Sequence, residues 1–544
     1  MSQTLHTQSP STFDAETRLD ADVLIIGGGP AGAWAACSAA AAGASVVLVD
    51  KGYCGTSGVT ASAGTGVWYV PPEPEVREAA MASRETLGGH LADRTWMSRV
   101  LDQTYANLNL LADWGYPFPL DEAGNSYRRS LQGPEYMRLM RRRVKRAGVQ
   151  ILDHSPALEL LIDRQGAIGG ATGINRQTGE RWSVRSAAVV IATGGCAFLS
   201  KALGCNVVTG DGYLMAAEVG AELSGMEFSN AYGLCPAFSS VTKSLFYNWA
   251  TFTYEDGSVI PGAGSQRGRA AIAQTLQTQP VYAILDKANE AMQKSMRLAQ
   301  PNFFLPFDRM GIDPFTQRFP VTLRLEGTVR GTGGIRIVDE TCATSVPGLY
   351  AAGDAATREL ICGGFTGGGS HNAAWATSSG YWSGKGAAEY ARQQGKPDTP
   401  LEQVGGAALR SDGNSPLETQ QVIEAVQAEV FPYDRNYFRS ESKLLESADR
   451  LDSLWQVIRN SQATGDIVRS REAAAMVATA RWMYRSALER KETRGMHKHQ
   501  DYPQLDPNQQ HYLISGGLDR VWVKPEPIAA VASEPVRVAV GGGV

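Results

Sequence analysis

The run Gly27-Gly28-Gly29-Pro30-Ala31-Gly32 has the residue types and spacing of a turn that binds a pyrophosphate. Glycine at 27 permits a tight turn, at 29 it lets the backbone approach the phosphates, and at 32 it lets helix and strand pack closely. The free N–H groups at the start of the helix that follows then face the anion. Asp50 stands 18 residues beyond Gly32, where a carboxylate can accept hydrogen bonds from ribose hydroxyls. Lys51 and the pair Thr56-Ser57 follow it and are assigned to the same cofactor site. Such a turn serves nicotinamide and flavin dinucleotides alike, so spacing alone does not choose between them.

The elements that must position this turn are readable around it. Val23-Leu24-Ile25-Ile26 predicts a strand, the Ala-rich stretch to Ala42 a helix, and Val46-Val47-Leu48-Val49 a second strand. Val189-Val190-Ile191-Ala192-Thr193-Gly194-Gly195 and Gly348-Leu349-Tyr350-Ala351-Ala352-Gly353-Asp354 are two further strands, one running into a small-residue turn and the other ending in an acid. A chain of 544 residues needs several domains, and its 59 glycines suit an α/β architecture with tight strand-to-helix turns.

Composition excludes several classes. A net charge of −4 offers no basic field for nucleic acid or anionic lipid, and neither is an expected partner. The basic run Arg138 to Arg146 carries Tyr136, Leu139, Met140 and Val144 at near-helical spacing, which predicts a solvated helix face. No stretch reaches the roughly 18 apolar residues of a membrane helix. Met1 to Asp20 lacks a secretory pattern and reads as a flexible tail, so a cytoplasmic protein without membrane insertion is expected. The seven cysteines form no CxxC pair and no zinc or iron–sulfur spacing, and no metal site is expected.

Taken together, these segments resemble the flavoprotein family of fumarate reductase, succinate dehydrogenase, L-aspartate oxidase and the adenylylsulfate reductase flavoprotein subunit. Gly210-Asp211-Gly212 with Met226-Glu227-Phe228, and Glu492-Thr493-Arg494-Gly495-Met496-His497 with Asp501-Tyr502-Pro503, are similar to that family's motifs. The resemblance implies FAD, with Ala192, Thr193 and Gly194 near its adenosine half and Gly353-Asp354 on the ribityl chain. It implies an α/β fold: a Rossmann-type FAD-binding domain over 21–225 and 331–394, an inserted α+β capping domain over 226–330, a helical C-terminal domain over 416–515, and an extended tail over 516–544. The tethering histidine of some members would fall near Gly58, so the FAD is expected to be noncovalent.

Catalytic expectations follow from the same resemblance. The glycine-rich run Gly363 to Asn372, with Gly369 and Ser370 assigned to the cofactor, leads into a helix from Ala373 whose start would point N–H groups at the flavin pyrimidine, and His371 in this loop is a candidate to face the substrate. Arg267 takes the position of the family's proton-donating arginine, with Arg269 as the fallback if the register slips. Tyr232 replaces a substrate-binding histidine, a second such histidine is missing from Val329 to Gly334, and Phe365 stands where the arginine gripping a dicarboxylate would be. Succinate, fumarate and aspartate are therefore not expected to be favoured. Leu245-Phe246-Tyr247-Asn248-Trp249 and Trp68-Tyr69 are candidates to line a pocket for an apolar or ring substrate, or else to pack a core.

These residues predict an FAD-dependent dehydrogenase or reductase that moves a hydride to or from a small organic molecule, with Arg267, Tyr232 and His371 orienting it and relaying a proton. One alternative is flavin chemistry at sulfur with an iron–sulfur partner, as in adenylylsulfate reductase. Another is an electron-transfer subunit without its own substrate. The resemblance leaves open an electron-transfer protein as partner, an oligomeric assembly, and the identity of the electron donor or acceptor.

Overall fold

The computed structural model describes residues 17–121, 123–242, 244–265, 268–366, 369–409, 415–462 and 465–528. An eight-stranded sheet forms the centre. The strand Thr17–Ile26 lies parallel to Val46–Val49 on one side and to Arg181–Ile191 on the other, while Leu349–Ala351 joins Arg181–Ile191 in parallel. Val23, Leu24, Ile25 and Ile26 are all at most 3 % exposed, because helices cover both faces of a parallel sheet. Burying four such side chains contributes about 1.5–3 kcal/mol each. The first strand begins earlier than the sequence suggests: Thr17 to Asp20, expected in the tail, pair with Trp182 to Arg185.

Two helices sit together on this sheet. Pro30–Ala41 packs against the long helix Gly369–Gln394. A Cβ on Gly380 would stand 2.3 Å from the Ala31 carbonyl oxygen, and one on Gly384 2.1 Å from that of Ala35. Glycine inside a helix costs roughly 0.5–1 kcal/mol relative to alanine. Here it permits a backbone-to-backbone approach that brings both helix N-termini to the same end of the sheet. The basic run lies in the helix Gly133–Arg146, which buries Tyr136, Leu139, Met140 and Val144 as the spacing predicts.

The inserted segment forms its own four-stranded antiparallel sheet, ordered Ala231–Pro236, Phe319–Gly327, Val281–Ile284, Thr251–Thr253. Its core is aromatic: Phe303, Phe304 and Phe307 of the helix Pro301–Met310 pack with Phe246 and Phe319.

Three helices, Thr419–Val430, Glu441–Asn460 and Ile467–Glu489, make up most of the C-terminal part. Buried ion pairs lock the last of these and the loop after it onto the first half of the chain: Arg471 with Glu218, and Arg490 with Glu227 at 2.7 Å. The stretch expected as a surface tail is different. Trp522–Pro527 turns back on His511–Gly516 as a hairpin, and His511–Gly516 pairs with Leu223–Ser224. The last domain is thus stitched to the central one by backbone hydrogen bonds as well as by helices. The remainder of the expected tails, 1–16 and 529–544, lies outside the described residues.

Candidate active site

A cavity of about 580 Å³ runs from the glycine turn to the inserted sheet. At its first end are Gly27, Gly29, Pro30 and Ala31, with Asp50 beside them. A Cβ on Gly32 would lie 1.8 Å from the Gly27 carbonyl oxygen, whereas one on Gly29 would meet nothing within 4 Å. The glycine at 29 therefore keeps open space in front of the helix N-terminus, the geometry a pyrophosphate requires. Asp50 Oδ2 accepts the Gly28 N–H at 2.6 Å, and Oδ1 accepts Gly52 N–H and the Ser57 hydroxyl, both at 2.8 Å. Each carboxylate oxygen can accept more than one bond, so capacity for a ribose hydroxyl remains.

Ala192, Thr193, Gly194, Gly353 and Asp354 line the middle of the cavity. Asp354 is paired with the fully buried Arg358, which also donates to the carbonyls of Thr328 and Gly331. Ser370 and Asn372 come from the first turn of the long helix that starts at Gly369. Asn372 donates to Val329 O at 2.7 Å, while its own Oδ1 is buried without a partner on the cavity wall. An unpartnered buried acceptor costs about 1–3 kcal/mol, so it suits a ligand that carries an N–H or O–H donor there. Two helix N-termini, a carboxylate with spare acceptor sites and this orphaned oxygen together fit FAD.

Several expected residues are placed elsewhere. Lys51 borders the cavity, but its ammonium is committed to Asp211 at 2.6 Å and Glu472 at 2.8 Å. Those two carboxylates outweigh the cost of burial and hold its pKa above the ordinary lysine range. It ties Asp211 to Glu472 of the last long helix. Thr56 is exposed, next to a separate basic groove with Arg138 and Arg142. Tyr232 is 4 % exposed, and its hydroxyl donates to Val430 O at 2.9 Å, pointing into the helical domain instead of the cavity. A register irregularity between Ala231 and Tyr232 sets which face the ring takes.

His371 is fully buried behind Ser370, with its ring 4.7 Å from that of Trp68. Burial, reinforced by the Arg84 charge, pushes its pKa down to about 3. A histidine neutral throughout the physiological range and closed off from the cavity is not a proton relay to substrate. Arg267 lies outside the described residues. Of the aromatic candidates, Phe246 reaches the cavity along with Leu245 and Asn248, while Tyr247 packs among Phe252, Phe303 and Phe319.

Two residues at the far end gain prominence from the structure. Arg269, the fallback position, is cavity-lining, and Arg330, at the place of a missing histidine, lines the same end. The sequence signal there is the histidine missing from Val329 to Gly334. Arg269 Nε donates to Ser265 O at 2.7 Å and Nη1 to Tyr232 O at 3.1 Å. Burial, together with the neighbouring Arg330 charge, lowers its pKa to about 10. Arg330 pairs with Glu326 at 3.1 Å, and Glu326 also accepts the Thr242 hydroxyl at 2.8 Å.

Comparison with known proteins agrees with this geometry. Residues 22–232 match the FAD binding domain family, and residues 429–531 match the fumarate reductase flavoprotein C-terminal family. L-aspartate oxidase of Streptomyces coelicolor is 26% identical, over 92% of this chain and 92% of its own length. The fumarate reductase flavoprotein of Haemophilus influenzae is 23% identical, over 96% of each chain. Among solved structures, an E. coli quinol fumarate reductase chain superposes with a TM-score of 0.81 at 20% identity, covering 97% of this chain and all of its own. Adenylylsulfate reductase of Archaeoglobus fulgidus gives 0.78 at 19% identity, covering 95% and 97%. No helix among the described residues is long and apolar enough to cross a membrane. With an FAD binding domain at one end of the chain and a fumarate reductase flavoprotein C-terminal domain at the other, this chain resembles the fumarate reductase and L-aspartate oxidase flavoproteins and is an FAD-dependent oxidoreductase.

Proposed function

We propose that the chain is a dehydrogenase or reductase that exchanges a hydride between FAD and a small organic molecule other than a dicarboxylate. The observation that carries this reading is the continuity of the cavity, which joins the cofactor cradle at Gly29 to a roof made by Leu245, Phe246, Arg269 and Arg330. When bound, FAD supplies the hydride acceptor or donor at its flavin N5. The chain supplies the rest. The N-terminus of the helix Gly369–Gln394 places positive dipole charge at the cavity wall. The buried Phe246 places apolar surface at the far end, which strengthens electrostatic interactions beside it.

Against dicarboxylates stand Tyr232, whose hydroxyl is turned away, and Phe365, which brings no charge. Gly58 borders the cavity where some relatives carry a tethering histidine, so the cofactor is held without a covalent bond. Precipitating the protein with acid should release all of its flavin into the supernatant. Arg267 keeps the proton-relay role in this reading. R267A should leave FAD bound and abolish anaerobic reduction or reoxidation of the flavin by substrate, whereas an unchanged half-reaction removes Arg267 from the mechanism.

A further inference from the structure

The far end of the cavity has an unusual charge arrangement. Its charged wall residues among those described are Arg269 and Arg330, and no carboxylate faces it. Glu326, fully buried behind the wall, is paired with Arg330. Arg269 has no carboxylate within 4 Å among the described residues, and the two hydrogen bonds given above both go to backbone carbonyls. Among the described residues, two guanidinium groups stand against one carboxylate, an excess of positive charge in a largely buried place. An uncompensated buried charge is costly unless a ligand completes it.

Geometry narrows the ligand further. The carbonyls of Ser265 and Tyr232 hold two edges of Arg269, and Glu326 holds one edge of Arg330, so both planes are fixed before any ligand arrives. Guanidinium groups held in this way recognise carboxylates through paired N–H···O bonds. The neighbouring wall mixes the apolar Leu234, Phe246 and Val329 with the neutral polar Thr242, Ser244, Asn248 and Gln300. None of these side chains carries a positive charge to meet a second carboxylate.

We propose that Arg269 and Arg330 clamp a single carboxylate, so that the molecule handled at this site is a small monocarboxylate with an apolar remainder. The assignment rests on the cavity being the place of the flavin reaction. Both arginines bind substrate in this account, and Glu326 is a positioning residue that keeps Arg330 in place while cancelling half of the charge.

The test uses the purified FAD-loaded protein and follows the flavin absorbance band during titration with crotonate, its neutral amide crotonamide, and fumarate. Crotonate should perturb the band saturably, crotonamide should neither do so nor compete, and fumarate should bind no more tightly than crotonate. R269Q and R330Q should each weaken crotonate by about tenfold or more, the loss expected for a hydrogen-bonded charge, with FAD content and reduction by dithionite unchanged. R269K and R330K should recover part of that affinity, which a purely structural role would not produce. Equal binding of crotonamide and crotonate, fumarate binding tenfold tighter than crotonate, or unaltered crotonate affinity in both glutamine variants would overturn the clamp. FAD content is measured before any carboxylate is added, so a chain that holds no FAD overturns the flavin reading instead.

Discussion

The Asp50 carboxylate accepts the Gly28 N–H at 2.6 Å and so ties the end of the second strand to the glycine turn that precedes the first helix. Through Ser57 and Gly52 the same carboxylate also fixes the loop that borders the cavity next to it. One acid thus shapes the cradle from three directions and keeps lone pairs for a ligand.

The cradle yields the first prediction. Gly29 faces open space and has φ −69°, so a side chain is sterically allowed in the fold but intrudes where phosphate must approach. G29V should fold normally and bind FAD roughly ten- to a hundredfold more weakly, the equivalent of one or two lost charge-assisted hydrogen bonds. G32A should instead destabilise the fold by roughly 1–3 kcal/mol or more, because its Cβ meets the Gly27 carbonyl. Thermal melts and FAD titrations of both variants distinguish the two effects. Equal FAD affinity in G29V and the unmodified chain would count against the pyrophosphate assignment.

Lys51 offers a second. Its removal leaves Asp211 and Glu472 facing each other across the domain boundary, and breaking a buried ion pair costs about 3–5 kcal/mol. K51A should therefore lower the denaturation midpoint sharply. If K51A kept its stability and lost only FAD affinity, Lys51 would be a cofactor ligand after all.

For Tyr232, Y232F deletes a hydroxyl whose partner is the Val430 carbonyl, 198 residues away. A stability loss of about 1 kcal/mol is expected, with little change in KM and kcat once a substrate is in hand. A large fall in kcat with unchanged stability would restore Tyr232 to the substrate.

The pH response follows from His371. Its pKa falls from 6.5 to about 3 on folding, so the unfolded chain binds a proton that the folded one refuses. The neutral histidine contributes its full stability above pH 6.5, and this is lost as pH falls from about 6.5 towards about 3, with a slope near 1.4 kcal/mol per pH unit. H371Q should show a shallower acid decline in denaturation free energy than the unmodified chain. Identical acid slopes would contradict the burial of a neutral ring. The same ring supplies no limb to the pH–rate profile near neutrality.

The readable part of the site is the part made of neighbours in sequence. Gly27 to Gly32 and Asp50 lie within one strand–helix–strand unit, so spacing alone locates their contacts. The commitments of Lys51 were not readable, because its partner Asp211 lies 160 residues away and Glu472 belongs to another domain. Nor was the direction of Tyr232: the irregularity at Ala231 reverses which face a strand residue takes, and alternation gives no sign of it. In the sequence, Arg330 reads only as the absence of a histidine, since its meaning depends on Arg269 from a distant helix. The sheet at Trp522 is signalled only by the Gly516-Gly517 turn, and nothing local marks its pairing with Leu223–Ser224, which lie far away in sequence.

The proposed chemistry requires flavin and substrate to share one chamber. Anaerobic mixing of the purified FAD-loaded protein, oxidised or pre-reduced with dithionite, with a panel of small saturated and α,β-unsaturated monocarboxylates, followed at the flavin absorbance band, measures this. The account predicts that at least one saturated acid bleaches the oxidised band or one unsaturated acid restores the reduced band, and that R330Q slows the exchange. A flavin that changes redox state only with artificial donors and acceptors, across the whole panel, would contradict it.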